Sequence, residues 1–473
     1  MEEKFDLAVI GGGPGGYTAA GEAARAGLKT VLIEDRAVGG TCLHRGCIPT
    51  KTLMHSSELI ESINRGIPGM VIRVGDQSVP YDNFRADIDM KMLQRQRKEV
   101  SERLAKGIRT GLEKNGVLMI HGRAMITAPH QLSIKSTDTD GRESMQQIRA
   151  DHIIIATGSR PEKLPLPGID LEGVLNSDQI IVSEERPPRI IIVGGGVIGI
   201  EFATIYLGLG SQVTLLEGAS RLLSPIDKEF SQSIRSILKR RGARVHTSAM
   251  VRGFEKNENG SLICRYTEKG EKKQEEADLI LVATGRIPQT EGLFGEGFSV
   301  EMNGKYIAVD EYFRTSCPGI YAVGDVNGGI ALAHAASAEA RNAVNDILKK
   351  PASDNMTVIP GCVYTDPEIA YAGMTLEEAK SAGIKAAAKK YPMLANGRSV
   401  LSRQERGFIK VVAEEETGRI IGAQLMCARA TDMISEFAEA IANRLTVRQM
   451  GDVIHPHPTF SEGITEALRL FEE

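Results

Sequence analysis

The feature that most constrains this chain is a pattern that occurs twice. The apolar run Leu7-Ala8-Val9-Ile10 leads into Gly11-x-Gly13-x-x-Gly16, then an alanine-rich stretch to Arg25 and Gly27, then a second apolar run from Thr30 to Ile33 closed by Glu34. The same order returns as Arg189–Val193, Gly194-x-Gly196-x-x-Gly199, a helical stretch, Gly210, and Val213–Leu216 closed by Glu217. The interval from first glycine to acid is identical in the two copies, 11 to 34 and 194 to 217. One such glycine turn is a weak signal, because a turn without a ligand uses the same residues. Two copies with strand, helix and acid in register predict two dinucleotide-binding βαβ units. The glycines allow a tight turn and close approach of a pyrophosphate, which sits on the free N–H groups of the helix N-terminus. The acid at the end of the second strand accepts hydrogen bonds from a ribose.

The duplication runs further. Each copy continues into a region that alternates like a β-meander and ends on an apolar strand and Ala-Thr-Gly, at 156–158 and 283–285. The first copy is longer by about 56 residues, inserted mainly between Gly39 and about Gly116. That insertion holds Cys42 and Cys47 and a charged stretch, Ile88–Lys114, which reads as a solvated helix. After the second copy, Thr315–Asp325 reads as a turn, a strand and an acid at the strand's C-terminal end, where open α/β sheets bind ligands. A helix is expected over Leu332–Leu348. From Pro351 the pattern changes to strands near Phe408–Val412 and Ile420–Met426 and helices near Met433–Asn443 and Ser461–Leu470, as in a separate α+β domain. The expected fold class is α/β, with two Rossmann-like nucleotide-binding domains and a C-terminal α+β domain. The expected division is 1–150, 151–283, 284–350 (returning to the first domain) and 351–473.

Charge and composition narrow the function. Lys plus Arg is 57 against 61 Asp plus Glu, a net charge of −4, which argues against a nucleic-acid partner. No apolar run reaches the ~18 residues of a membrane span. The N-terminus enters an apolar strand without a leader-like segment, so a cytoplasmic location is expected. Six cysteines in 473 residues are too few for a disulfide scaffold. Cys264, Cys317, Cys362 and Cys427 read as ordinary small residues.

Cys42 and Cys47 stand apart in Gly39-Gly-Thr41-Cys42-Leu-His-Arg-Gly-Cys47-Ile-Pro-Thr-Lys51. Pro49 fits the first turn of a helix. Cys47 then lies near a helix N-terminus, where the dipole favours a thiolate, and Lys51 one turn on adds positive charge. A dithiol that opens, closes and attacks disulfides is one reading. A metal site of Cys42, His44 and Cys47 is a second, and two buried thiols a third; no metal is expected, since zinc spacings are usually tighter. Arg45 either stabilises a thiolate or faces solvent. Near the C-terminus, His455-Pro-His457-Pro-Thr-Phe-Ser-Glu462 offers a histidine as proton carrier and a carboxylate to orient it.

Taken together, the two fingerprints, Gly-Gly-Thr-Cys-x4-Cys-Ile-Pro-x-Lys and His-Pro-Thr-x-Ser-Glu resemble the pyridine nucleotide–disulfide oxidoreductase family, in the right order over nearly the whole chain. Within it, Tyr364–Ala370, Glu217 and the 455–462 segment are most similar to the branch that oxidises dihydrolipoyl groups. The resemblance implies FAD in the domain of residues 1–150 and 284–350, NAD in that of 151–283, and dimerisation through 351–473. It assigns Gly11, Gly13, Gly16 and Glu34 to the ADP half of FAD, and Asp325 to its ribitol. Lys51, paired with Glu201, goes to the reactive edge of the flavin. Gly194, Gly196, Gly199 and Glu217 go to NAD, with Thr41, Thr157, Gly158 and Gly285 as further cofactor contacts. Cys42 would exchange with substrate and Cys47 face the flavin. His457, oriented by Glu462, would be the acid–base, supplied by the other subunit of a homodimer. The implied partners are lipoyl domains of an acyltransferase or a glycine-cleavage carrier protein. A glutathione- or mercuric-reductase-like member, or a redox sensor without turnover, are the alternatives.

Overall fold

The computed structural model describes residues 3–67, 69–79, 81, 84–137 and 140–472. Its first sheet has strand Glu3–Ile10 at the centre, parallel to Thr30–Glu34 on one side and to Glu143–Ile155 on the other. Leu118–His121 extends it beyond Thr30–Glu34. The 13-residue strand Glu143–Ile155 serves two neighbours on its far edge. Its first half pairs antiparallel with Gln131–Thr137, which pairs with Arg123–Ala128; its last three residues pair parallel with Ile320–Ala322. The first sheet therefore continues five residues beyond 150 and takes back a strand from beyond the second unit.

The second sheet is wholly parallel, in the order Val174–Asn176, Leu279–Val282, Arg189–Val193, Gln212–Glu217, Arg244–Thr247. A three-stranded antiparallel meander, 249–277, stands beside it. The meanders expected after each acid are present in both copies. Ser159–Pro161 pairs with Arg286–Pro288, so the chain leaves for the second unit and returns from it through one two-stranded crossover.

The C-terminal sheet is antiparallel, ordered Gly361–Val363, Ile369–Gly373, Ile420–Met426, Phe408–Glu414, Ala386–Pro392. Helix Ala430–Ala442 packs its Met433, Ile434 and Phe437 onto it. Lys410, on the inner strand Phe408–Glu414, reaches the second unit. Its Nζ lies 2.5 Å from Asp227 and 2.7 Å from Glu229, with only 11% of the side chain exposed.

Helix Val197–Gly208 shows why a helix can lack a polar face. Its sequence, VIGIEFATIYLG, is apolar all round, and nine of its twelve residues are buried. One side lies on the second sheet and the other on helix Cys47–Arg65, which approaches so closely that a side chain at Gly208 would meet Ser57 Oγ at 2.2 Å. A helix enclosed on both sides gains nothing from a polar stripe. Its one carboxylate, Glu201, is 4% exposed and must have a partner there. Helix Met90–Lys114 is amphipathic, with Asp89 accepting from the N–H groups of Lys91 and Met92 at its start. No helix among the described residues is long and apolar enough to cross a membrane.

Candidate active site

The two fingerprints have the same geometry. Gly11 and Gly194 have φ of +101° and +111°, and a Cβ on either would lie 2.4 Å from the carbonyl oxygen of Ala156 or Ala283. Only glycine fits there. Gly16 and Gly199 do not face the ligand space; a Cβ on each would lie 1.7 and 1.9 Å from the carbonyl oxygens of Gly11 and Gly194. These two glycines let the helix approach the strand. Gly13 and Gly196 are the N-caps of helices Pro14–Arg25 and Val197–Gly208 and supply no side-chain cap. The first-turn N–H groups are thereby left for a ligand.

The two acids also match. Glu34 Oε2 accepts from Gly12 N (2.6 Å) and Oε1 from Arg36 N (2.9 Å). Glu217 Oε2 accepts from Gly195 N and Oε1 from Ala219 N, both at 2.5 Å. Arg221 donates to the Ser224 carbonyl at 2.5 Å.

Both cradles open into one cavity of about 1750 Å³. Of the residues expected from sequence, Gly11, Gly13, Glu34, Thr41, Cys42, Cys47, Lys51, Thr157, Gly158, Gly194, Gly196, Glu201, Glu217, Gly285 and Asp325 line it. Gly16, Gly199, His457 and Glu462 do not.

Cys42 lies on the five-residue helix Gly40–His44, and helix Cys47–Arg65 begins at Cys47 itself. Both thiols are free, and Cys47 is exposed. Cys42 donates its S–H to Cys47, which holds the Cys47 thiol down, to about 7, with Lys51 helping. The same hydrogen bond, together with burial, holds Cys42 up. Of the two thiols, Cys47 is the one that its neighbours favour as a thiolate. His44 is not turned to the cysteines: its Nε2 pairs with the Val38 carbonyl at 2.9 Å. Arg45 neither faces solvent nor adjoins the thiolate; its Nε is 3.3 Å from Asp178.

Lys51 Nζ donates to both oxygens of Glu201, at 2.9 and 2.8 Å, and lies 4.4 Å from the centre of the Tyr364 ring. Glu201 Oε1 also accepts from Tyr364 N at 3.1 Å. Cys362 shares this wall of the cavity; burial pushes its thiol up to about 11, so it stays protonated at neutral pH.

Sequence reasoning missed several residues here. Ser159 Oγ donates to Asp325 at 2.5 Å, and Arg286 donates to Ser159 Oγ and to its carbonyl, both at 2.8 Å. Ser159 and Arg286 each follow an Ala-Thr-Gly, so their equivalent places in the duplication were the available signal. Glu339, 4% exposed, accepts from Gly324 N and Asn327 and fixes the turn that carries Asp325. It stands inside an ordinary helix, Ala333–Ile347, and nothing local distinguishes it.

His457 Nδ1 lies 2.8 Å from Glu462 Oε1, and Glu462 Oε2 accepts from Thr459 N at 2.7 Å. The Thr459 N–H, then His457, hold the Glu462 carboxyl below its usual range. The His457 side chain is 79% exposed. His455 is the opposite case: it is buried between Glu436 and Thr465.

The cavity suits two dinucleotides. Each cradle offers unpaired helix N–H groups and a ribose-directed acid, and Thr157 Oγ1 is buried on the wall without a hydrogen-bond partner. Comparison with known proteins agrees. Residues 5–340 match the pyridine nucleotide-disulphide oxidoreductase family, and residues 359–468 match the dimerisation domain of that family, which supports a homodimer. A dihydrolipoyl dehydrogenase of Bacillus subtilis is 37% identical over 473 residues, covering 99% of this chain and 98% of that one. Among solved structures, LpdA of Mycobacterium tuberculosis superposes with a TM-score of 0.87 at 28% identity, covering 99% of both chains. The flavoprotein disulfide reductase RclA of Escherichia coli gives 0.86, also at 28% identity and 99% of both chains. The chain belongs to the pyridine nucleotide–disulphide oxidoreductase family and is an FAD-dependent, NAD-linked enzyme of it.

Proposed function

We propose that this chain is a dihydrolipoyl dehydrogenase, oxidising dihydrolipoyl groups at the Cys42–Cys47 pair and reducing NAD+. The observation that carries the reading is the single cavity in which a polarised cysteine pair, the Lys51–Glu201 pair and two matched nucleotide cradles meet. Full-length relatives that carry this activity in their names, at 34–37% identity, support the substrate class.

Gly11, Gly13 and Glu34 hold the ADP half of FAD, with Thr41, Thr157, Gly158 and Asp325 as further contacts. Gly194, Gly196, Glu217 and Gly285 hold NAD. Gly16 and Gly199 act through the close strand–helix approach. FAD, when bound, supplies the two-electron relay between the dithiol and the nicotinamide. Every other task falls to side chains. The partner subunit's His457 takes a proton from a dihydrolipoyl thiol, and Glu462 fixes the ring and balances its charge. The substrate thiolate attacks Cys42 Sγ in the oxidised enzyme, breaking the Cys42–Cys47 bond and leaving Cys47 as thiolate. The second substrate sulfur then displaces Cys42, which leaves as a thiol with the proton that His457 held, and the second substrate thiol's own proton passes to His457. Cyclic lipoyl disulfide departs and the pair is reduced. Lys51 keeps the Cys47 charge stable until it is passed on. In this reading residues 1–150 with 284–350, together with the remainder of strand Glu143–Ile155, form the FAD unit, the rest of 151–283 the NAD unit and 351–473 the dimer-forming unit. Lipoyl domains of an acyltransferase or of a glycine-cleavage carrier are the macromolecular substrates.

The test is direct. Purified FAD-loaded protein reduces NAD+ with dihydrolipoamide, and Cys42→Ser abolishes this while retaining flavin. No turnover with dihydrolipoamide, but turnover with another disulfide and NADH, refutes the substrate and leaves the family intact.

A further inference from the structure

Arg45 stands between the two cysteines yet is drawn away from both. Its Nε is 3.3 Å from Asp178 Oδ2, and Arg286 Nη1 is 3.6 Å from Asp178 Oδ1. The three side chains are 25%, 18% and 20% exposed for Arg45, Arg286 and Asp178, so the cluster is largely shielded from water. Arg286 continues to Ser159, and Ser159 to Asp325. A chain of side-chain contacts thus ties the loop between the cysteines to the crossover that joins the two nucleotide units.

The two segments joined by this contact are capped differently. Asp178 sits in helix Ser177–Ile180, whose start is fixed by a reciprocal capping box between Asn176 and Gln179. Helix Gly40–His44, which carries Cys42, has five residues and no side-chain cap. A helix that short does not hold itself. Burial of Leu43 and the Gly39 N–H on the Gly12 carbonyl hold its start, and two side-chain ties hold its C-terminal end: His44 to the Val38 carbonyl and Arg45 to Asp178. Arg45 does not act by stabilising a thiolate. Asp178 offsets its charge in part, by proximity and not by a hydrogen bond, since Arg45 Nε is buried without a hydrogen-bond partner; Lys51 is the cation that lowers Cys47.

We propose that Arg45 is a positioning residue for the Cys42–Cys47 pair: its ion pair with Asp178 holds the short helix of Cys42 over the first turn of the helix of Cys47, and so sets how readily the two sulfurs close. This rests on reading the two cysteines as the redox pair. A loop already held in the closing geometry gives each thiol a high effective concentration at the other, and a released loop gives a lower one.

The test is a thiol–disulfide equilibrium, independent of turnover. The FAD-loaded homodimer is equilibrated with mixtures of oxidised and reduced dithiothreitol, quenched in acid, alkylated and weighed. On closure the two enzyme thiols lose two electrons and two protons and form one S–S bond; oxidised dithiothreitol takes both and its own S–S bond opens. Arg45→Met lowers the closure constant about five- to tenfold, the range between an exposed and a buried ion pair. Asp178→Asn lowers it equally, the double variant no further, and Arg45→Lys restores most of it. Flavin absorbance and the unfolding midpoint report that the variants are folded. A closure constant unchanged in Arg45→Met, or effects of Arg45→Met and Asp178→Asn that add, overturns the proposal. If Arg45→Met does not fold, an unchanged constant in Asp178→Asn overturns it. A wild-type pair that never closes instead refutes the redox-pair reading itself.

Discussion

Lys51 Nζ lies 2.8 Å from Glu201 Oε2 and so binds the helix of the cysteines to the helix of the second fingerprint. Glu201 is almost wholly enclosed, and its remaining partner is the Tyr364 N–H. Lys51→Met leaves that carboxylate without a counter-charge. The expected loss is about 1–3 kcal/mol of unfolding free energy, below the cost for a fully buried pair because 30% of the Lys51 side chain is exposed. Denaturant unfolding of the holoenzyme measures it, and an unchanged midpoint would show that the pair contributes nothing.

The Cys47 thiol, lowered to about 7, makes the reduced enzyme pH-sensitive. A thiolate alkylates and a thiol does not, so reactivity rises with pH through the lowered value. Iodoacetamide labelling of the reduced protein is expected to reach half its limiting rate near pH 7. Cys42→Ala removes the S–H donor and moves this midpoint upward, as does Lys51→Met. A midpoint for Cys42→Ala at or below that of the wild type contradicts the hydrogen-bond assignment.

The position of His457, absent from the cavity of its own chain, predicts complementation. His457→Gln slows the thiol half-reaction by ~10²–10⁴-fold. Cys42→Ser is inactive by itself. Dissociating the two variants and reassociating them makes mixed dimers, each with one site that has both wild-type residues. Activity is therefore expected to return on mixing. Mixtures as inactive as their parents would place the histidine's work within one subunit.

Glu217 and Arg221 together predict nucleotide choice. The carboxylate lines the cavity, held by its backbone donors; in the proposed function it would accept a ribose hydroxyl and repel a 2′-phosphate. Arg221 is engaged by the Ser224 carbonyl, and that choice rests on its remaining there. Strong preference for NAD(H) follows, read as a ratio of kcat/KM values. Comparable efficiency with NADPH would falsify this assignment.

Much of this was legible in the sequence because it is local. The fingerprints, the cysteine loop and His457-x4-Glu462 are each written in one short segment, and the spacing carries the geometry. Contacts between distant segments were legible only through the family resemblance, as with Lys51 and Glu201. Those without such help were not. Asp178 belongs to a four-residue helix and Glu339 to an unremarked one, and each matters because of a residue more than ten positions away. Arg45 shows the limit most clearly. Its place between the cysteines suggested an effect on the thiolate, whereas the charge that meets it comes from 133 residues along the chain, at Asp178.

The two cradles match each other hydrogen bond for hydrogen bond, down to the acid that ties back to the second residue of its fingerprint. A symmetric pair of sockets has no built-in sense of direction. What breaks the tie for sulfur is the long segment that the second copy lacks, since Cys42, Cys47 and Lys51 all lie within it. The polarity of the molecule, which socket stands next to sulfur and which to the far side, is thus the property of an insertion in a scaffold that repeats itself in the same order.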